Sequence, residues 1–166
     1  MQQNLLFTLP YRRDRYAIPN YPYFLTQKKA ECIADVLNRF MQDEMPFLKT
    51  GYCIRTLADD IDIPAYQVSA YINQSLGVNF NEFFNWFRVK HCLHLMQNRL
   101  TDQLNLSGLA YKCGFNNRNT LTTAFKKFTG RTPSEFTRSV SRGNQVDIVM
   151  NMNWGVMNYN APEKTI

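Results

Sequence analysis

The sequence predicts an all-α fold in which two similar units, each a short helix, a tight turn and a second helix, are joined by one long helix. Three observations predict it. Apolar residues recur at helical spacing through most of residues 26–142. One such run, Phe80 to Leu100, continues unbroken for about 20 residues, roughly 30 Å of helix. A weak internal repeat also sets Leu57-Ala58, Val68, Ile72 and Leu76-Gly77 against Leu109-Ala110, Leu121, Phe125 and Thr129-Gly130.

Each element has a local cause. Residues 1–25 carry Pro10, Pro19 and Pro22 among Tyr and Phe with no helical period, and read as an irregular arm or linker whose aromatics pack on the domain. From Thr26, the residues Ala30, Ile33, Ala34, Leu37, Phe40 and Met41 form one apolar stripe, and the helix must end before Pro46. Thr56 and Asp59 have the spacing of a capping box, so a short helix holding Leu57, Ala58 and Ile61 is expected to start there and break at Pro64. Val68, Ile72 and Leu76 stripe a third helix that Gly77 can end.

Phe80, Phe83, Phe84, Phe87, Cys92, Leu93, Met96 and Leu100 then mark the long helix. Ser107 is placed to cap a short helix with Leu109, Ala110 and Cys113, which turns at Gly114. Leu121, Phe125 and Phe128 line the next helix, closed by Gly130. Thr132-Pro133-Ser134-Glu135 combines a capping box with proline at the first helical position. In residues 143–166, Ile148, Met150, Met152, Trp154 and Val156 alternate with their neighbours. That segment is either an unstructured tail or a short strand pairing with the N-terminal LLFTL run or with another molecule. Three regions follow: 1–25 (arm), 26–142 (the helical domain) and 143–166 (tail).

Composition excludes several classes. The 166 residues suit one domain or two very small ones. No run approaches the roughly 18 apolar residues of a membrane helix. The start has no basic region of a secretion signal, so a cytoplasmic location without membrane contact is expected. Cys32, Cys53, Cys92 and Cys113 stand far apart, form no CxxC pair, and are expected reduced and half buried. His91 and His94 lack nearby co-ligands, so neither a metal nor another cofactor is expected. There is no G-x-S-x-G elbow, phosphate-cradling glycine loop or H-E-x-x-H. Asp59, Asp60 and Asp62 are read as helix-start acids rather than catalytic ones. An enzyme is therefore not expected.

The net charge of +6 is unevenly spread: residues 28–80 hold five basic and seven acidic side chains, whereas 81–142 hold ten and three. A half-chain that basic suits contact with phosphates. The repeat has the plan of two helix-turn-helix subdomains, in which the second helix of each enters a DNA major groove. A strut of about 30 Å would hold the two reading helices near one DNA turn apart.

Opposite Leu121, Phe125 and Phe128 lie Asn119, Thr122, Thr123 and Lys126, with Arg118 on the flank. The equivalent face of the first unit is Tyr66, Ser69, Ala70 and Asn73, with Gln67 and Gln74 beside it, and carries no positive charge. Arginine pairs bidentately with guanine, and Asn or Gln with adenine. The second unit is therefore expected to dominate affinity.

These residues resemble the arabinose-operon-regulator (AraC/XylS-type) family of bacterial transcription factors over about residues 50–140. The most specific stretch is LAYKCGFNNRNTLTTAFKKFTGRTPSEFTRS, residues 109–139, and FNEFFNWFRVKHCLHLM, residues 80–96, is similar to the family's linker helix. The resemblance implies sequence-specific binding of double-stranded DNA by two recognition helices. It places base contacts at Tyr66, Gln67, Ser69, Ala70, Asn73, Arg118, Asn119, Thr122 and Thr123. Phosphate contacts are expected from Arg55, Thr56, Arg88, Lys90, Ser107, Lys126, Lys127 and Arg131. RNA polymerase, and either a second copy of the chain or a covalent sensor domain, are the further partners it implies. The competing reading is a protein-interaction or self-association module with only non-specific DNA affinity.

Overall fold

A computed structural model describes residues 24–100 and 103–141, all within or beside the expected helical region. The arm up to residue 23 and the tail, with both alternatives for it, lie outside the described residues.

The described chain is built of helices and contains no strand. Helix α1 spans Gln27–Asp43 and buries Ile33, Ala34, Leu37 and Met41, the stripe its periodicity marks. A 3-10 turn, Pro46–Leu48, follows. Helix α2 is Ile54–Asp60, and α3 is Ala65–Ala70, continued by a π-helical turn over Tyr71–Ser75. The long helix α4 is Phe80–Gln97, α5 is Leu106–Lys112, α6 is Arg118–Thr129 and α7 is Pro133–Ser141. The repeat is real in three dimensions: α2 and α5 are seven residues each and start 52 positions apart, while α3 and α6 start 53 apart.

One apolar cluster runs through both units. Its centre is α4, which buries Phe83, Phe84, Trp86, Phe87, Val89, Cys92, Leu93, Leu95 and Met96 and so has no single dry face. It packs on the 3-10 turn and the π turn on the side of the first unit, and on α6 and α7 on the other. At 18 residues, α4 is about 27 Å long, a little shorter than expected. The Asn98 amide donates to the His94 carbonyl at 3.0 Å and Arg99 takes a left-handed φ of 55°, which ends the helix before Leu100.

Helix starts divide into those the side chains announce and those they do not. At α7 the Thr132 N–H donates to Glu135 (2.7 Å) and the Glu135 N–H donates to Thr132 (3.3 Å), the expected capping box. A second box, Asn79 with Glu82, starts α4. Helix α2, however, begins at Ile54 with Cys53 as its N-cap and no side-chain cap bond, so Thr56 lies inside the helix. Asp59 and Asp60 consequently end α2 rather than open it, and Asp60 accepts a hydrogen bond from the Tyr52 hydroxyl. Asp62 follows in the turn with φ 55°. Helix α5 is capped by Asn105, whose side chain accepts from the Gly108 N–H at 2.8 Å, and Ser107 sits one position inside.

The cysteines are free: Cys32 and Cys53 are exposed, Cys92 and Cys113 fully buried rather than half buried. Among the described residues no group of His, Cys, Asp and Glu could hold a metal ion. His91 instead packs edge-on against Phe47, ring centroids 6.2 Å apart. Burial pushes its pKa down to about 4, and His94 and Lys112 add like-charge repulsion. The fold therefore holds His91 neutral. An unfolded histidine titrates near pH 6.5, so this stabilisation is intact above about that pH and is lost as the pH falls toward 4. Urea midpoints are expected to drop through that window for the native chain and to flatten for His91→Gln; an undiminished drop would assign it to carboxylates instead.

Candidate nucleic-acid interface

Helix α6 presents the clearest face. Leu121, Ala124, Phe125 and Phe128 are buried, with Phe125 edge-on to Phe136 of α7 at 5.7 Å, so the helix is fixed from behind. Its first turn is set by Asn117, whose side chain accepts from the Thr120 N–H at 2.9 Å and from the Thr120 hydroxyl at 3.1 Å. Arg118, Asn119, Thr123 and Lys126 all stand exposed, as the helical geometry requires. Thr122 is half buried and donates its hydroxyl to the Arg118 carbonyl at 2.8 Å, so its contribution to a surface is its methyl group. Thr120, exposed on the same first turn, is a residue that sequence reasoning missed; the Asn117-x-x-Thr120 spacing is the signal for it. Arg131, just past the helix, is exposed.

The first unit departs from expectation. Gln67 and Ala70 are only 7% and 8% exposed, so neither lies on an outward face. The cause is that α3 has two dry stripes. Val68 and Ile72 form one; Gln67, Ala70 and Tyr71 form the other, because α2 packs on α3 and α1 packs on the π turn that continues it. The Gln67 amide donates to the Tyr66 hydroxyl at 2.9 Å, which satisfies it where it is. Tyr66 and Ser69 are half buried and Asn73 is exposed, its amide donating to Ser69 at 3.2 Å. The outward face of the first unit is thus smaller than the sequence implies, and still uncharged.

Three expected phosphate ligands are engaged elsewhere. The Arg88 guanidinium donates to the Phe47 carbonyl (2.6 Å), the Lys49 carbonyl (3.4 Å) and Asn85 (3.3 Å). It lies over the rings of Phe84 and Phe115, at 5.9 and 5.6 Å, and burial lowers its pKa. It is a clamp between α4 and the 3-10 turn, not a surface cation. The Lys90 ammonium lies over the Trp86 ring at 4.8 Å, half buried. Lys127 is exposed but paired with Glu82 of α4, and that bond holds the Glu82 carboxyl below its usual range. An exposed pair of this kind is worth about 1 kcal/mol or less, so a phosphate can compete for Lys127.

Between α4 and α6 the same pair helps line a cleft of about 400 Å³, together with Asn119, Thr120 and Thr123. Arg55, Thr56 and Ser107 are exposed in the first turns of α2 and α5. Thr56 lies 3.3 Å from the Cys53 thiol.

Comparison with known proteins agrees with this arrangement. The family described as a helix-turn-helix domain matches residues 57–139, half of the chain. The HTH-type transcriptional activator RhaR of Escherichia coli (strain K12) is 26% identical over 89 residues, 54% of this chain and 30% of its own length. The chain thus covers about a third of the curated relatives it matches. These matched relatives are regulators, not enzymes.

Among solved structures, the C-terminal domain of AraT, a response regulator from Geobacillus stearothermophilus, covers 72% of this chain and 88% of its own, with 20% identity and a TM-score of 0.54. A DNA-binding transcriptional dual regulator from Escherichia coli K-12 covers 73% of this chain and 99% of its own, with 12% identity and a TM-score of 0.51. Both share the fold alone. No described helix is long and apolar enough to cross a membrane.

Proposed function

Because the chain belongs to the AraC-type helix-turn-helix family, we propose that it is a sequence-specific DNA-binding regulator of transcription that reads two successive major grooves, α6 in one and α3 in the other. The observation that carries this reading is the face of α6, where Arg118, Asn119, Thr123 and Lys126 stand outward from a helix locked by Leu121, Phe125 and Phe128. Arginine and asparagine near the start of such a helix meet base edges, and Lys126 farther along suits a phosphate. Helix α3 and its π turn offer Tyr66, Ser69 and Asn73 and contribute the weaker half of the site. RNA polymerase, and a second copy or an attached sensor domain, are the further partners this reading carries. Action on chromosomal DNA would place the chain in the cytoplasm.

The test is anisotropy of a labelled random duplex titrated with the protein at two salt concentrations, followed by selection of a preferred site. Binding that weakens steeply with salt is expected. On the selected site Arg118→Ala is expected to cost about 1–3 kcal/mol and to relax preference at one base pair. Equal losses on selected and random duplex would remove Arg118 from the base-reading set. Absence of salt-sensitive binding would leave the interaction-module reading.

A further inference from the structure

Residues 81–142 hold ten basic side chains and three acidic ones, and one of those acids, Glu82, stands beside the outward face of α6. The start of α4 fixes it there. The Glu82 N–H donates to the Asn79 side chain at 2.9 Å, and Oε2 of Glu82 accepts from the Asn79 N–H at 3.3 Å. Glutamine serves at this position of a capping box as well as glutamate does, so the hydrogen bonds of the cap do not require the charge. The second oxygen, Oε1, is turned to another element: it accepts from the Lys127 ammonium in the last turn of α6. Lys127 follows Thr123 by four residues and Asn119 by eight, so the three form one line along that helix. All three are exposed, and all line the cleft against α4.

Resting on the DNA-binding reading, we propose that Glu82 competes with DNA phosphate for Lys127 and so sets how much of the positive charge of α6 a duplex can use. The side chains of Glu82 and Lys127 are 28% and 48% exposed, so the pair stands open to an incoming phosphate. A pair this exposed holds its cation by a factor of about five or less. The capping box positions the carboxylate in advance, so little of its freedom is lost when Lys127 turns to it. A phosphate that takes the ammonium leaves Glu82 as an unpaired anion facing the duplex. Lys127 therefore contributes less than the full counterion release of a cation without such a partner. Phosphates carry no sequence information, so the competition weakens binding to every duplex alike and leaves discrimination to the side chains that meet bases.

The experiment uses the full chain and a labelled random-sequence duplex of about three helical turns, with affinity followed by anisotropy across a salt series. Four proteins are compared: native, Glu82→Gln, Lys127→Ala and the double variant. Glu82→Gln keeps an acceptor for the Asn79 N–H and is expected to fold as the native chain does. It is expected to tighten binding by up to about fivefold and to steepen the slope of log affinity against log salt by about 0.5 to 0.9. Lys127→Ala is expected to lower that slope by about 0.9 in the Glu82→Gln background and by less than about half of that in the native one. Each Lys127→Ala loss is read within one background, so any change of stability caused by Glu82→Gln cancels.

Equal Lys127→Ala losses in the two backgrounds would overturn the competition: large ones would make Lys127 an ordinary phosphate ligand, and losses near zero would place it off the duplex. A Glu82→Gln gain that persists undiminished without Lys127 would overturn it in favour of plain repulsion between Glu82 and DNA. In each of these outcomes the salt-dependent binding of the native chain leaves the DNA reading standing. Native protein without salt-dependent binding would overturn that reading, and this inference with it.

Discussion

Gly114→Ala is expected to destabilise the fold by about 2–5 kcal/mol, combining left-handed strain with overpacking. Gly114 forms the turn between α5 and α6 at φ 79°. A Cβ there would fall on the Phe47 carbonyl oxygen and 2.8 Å from the Leu48 Cα. Both are backbone atoms of the 3-10 turn, so no side chain can swing aside. The turn that leads into α6 must then retreat from the segment that precedes the first unit. Gly77→Ala is the control, because Gly77 has φ 70° and no atom within 4 Å of its would-be Cβ. It is expected to cost only about 1–2 kcal/mol. Urea unfolding of the two variants isolates the close approach; equal losses would reduce the effect to backbone strain.

Arg88→Met is expected to lose about 2–3 kcal/mol of stability, since it leaves the carbonyl of the fully buried Phe47 without its charged donor. Arg88→Lys should restore little, because a single ammonium cannot span the Phe47 and Lys49 carbonyls and stack between Phe84 and Phe115 as a planar guanidinium does. The informative pairing is stability with salt dependence. Loss of stability with an unchanged slope for DNA is the expected result. A slope lower by about 0.9 with native stability would return Arg88 to the phosphate ligands.

What the sequence made legible was local. The stripe of α1, the box at Thr132 and Glu135 and the outward face of α6 each depend on residues within a few positions of one another, where helical spacing decides what faces inward. The misplaced starts of α2 and α5 show the limit of that logic. Cys53 has no capping side-chain bond to advertise it, and at α5 Asn105 and Ser107 are both good caps two residues apart.

The contacts that the sequence left unseen in the candidate site have a different origin. Arg88 is claimed by Phe47, 41 positions away, and Lys127 by Glu82, 45 positions away. Gln67 and Ala70 are covered because α2 packs on α3 and α1 packs on the π turn that continues it. A charge pattern registers that a cation exists, not that another part of the chain has already engaged it.

Helix α4 belongs to both units at once, its residues covered on one side by the turns of the first unit and on the other by α6 and α7 in a single core. For inheritance this means the described residues have no seam between the two units. Exchange of one unit between relatives would bring half of a jointly shaped interior to a partner moulded around a different half. A substitution in α4 that suits the packing of one unit is felt by the other, so the two units are expected to change together.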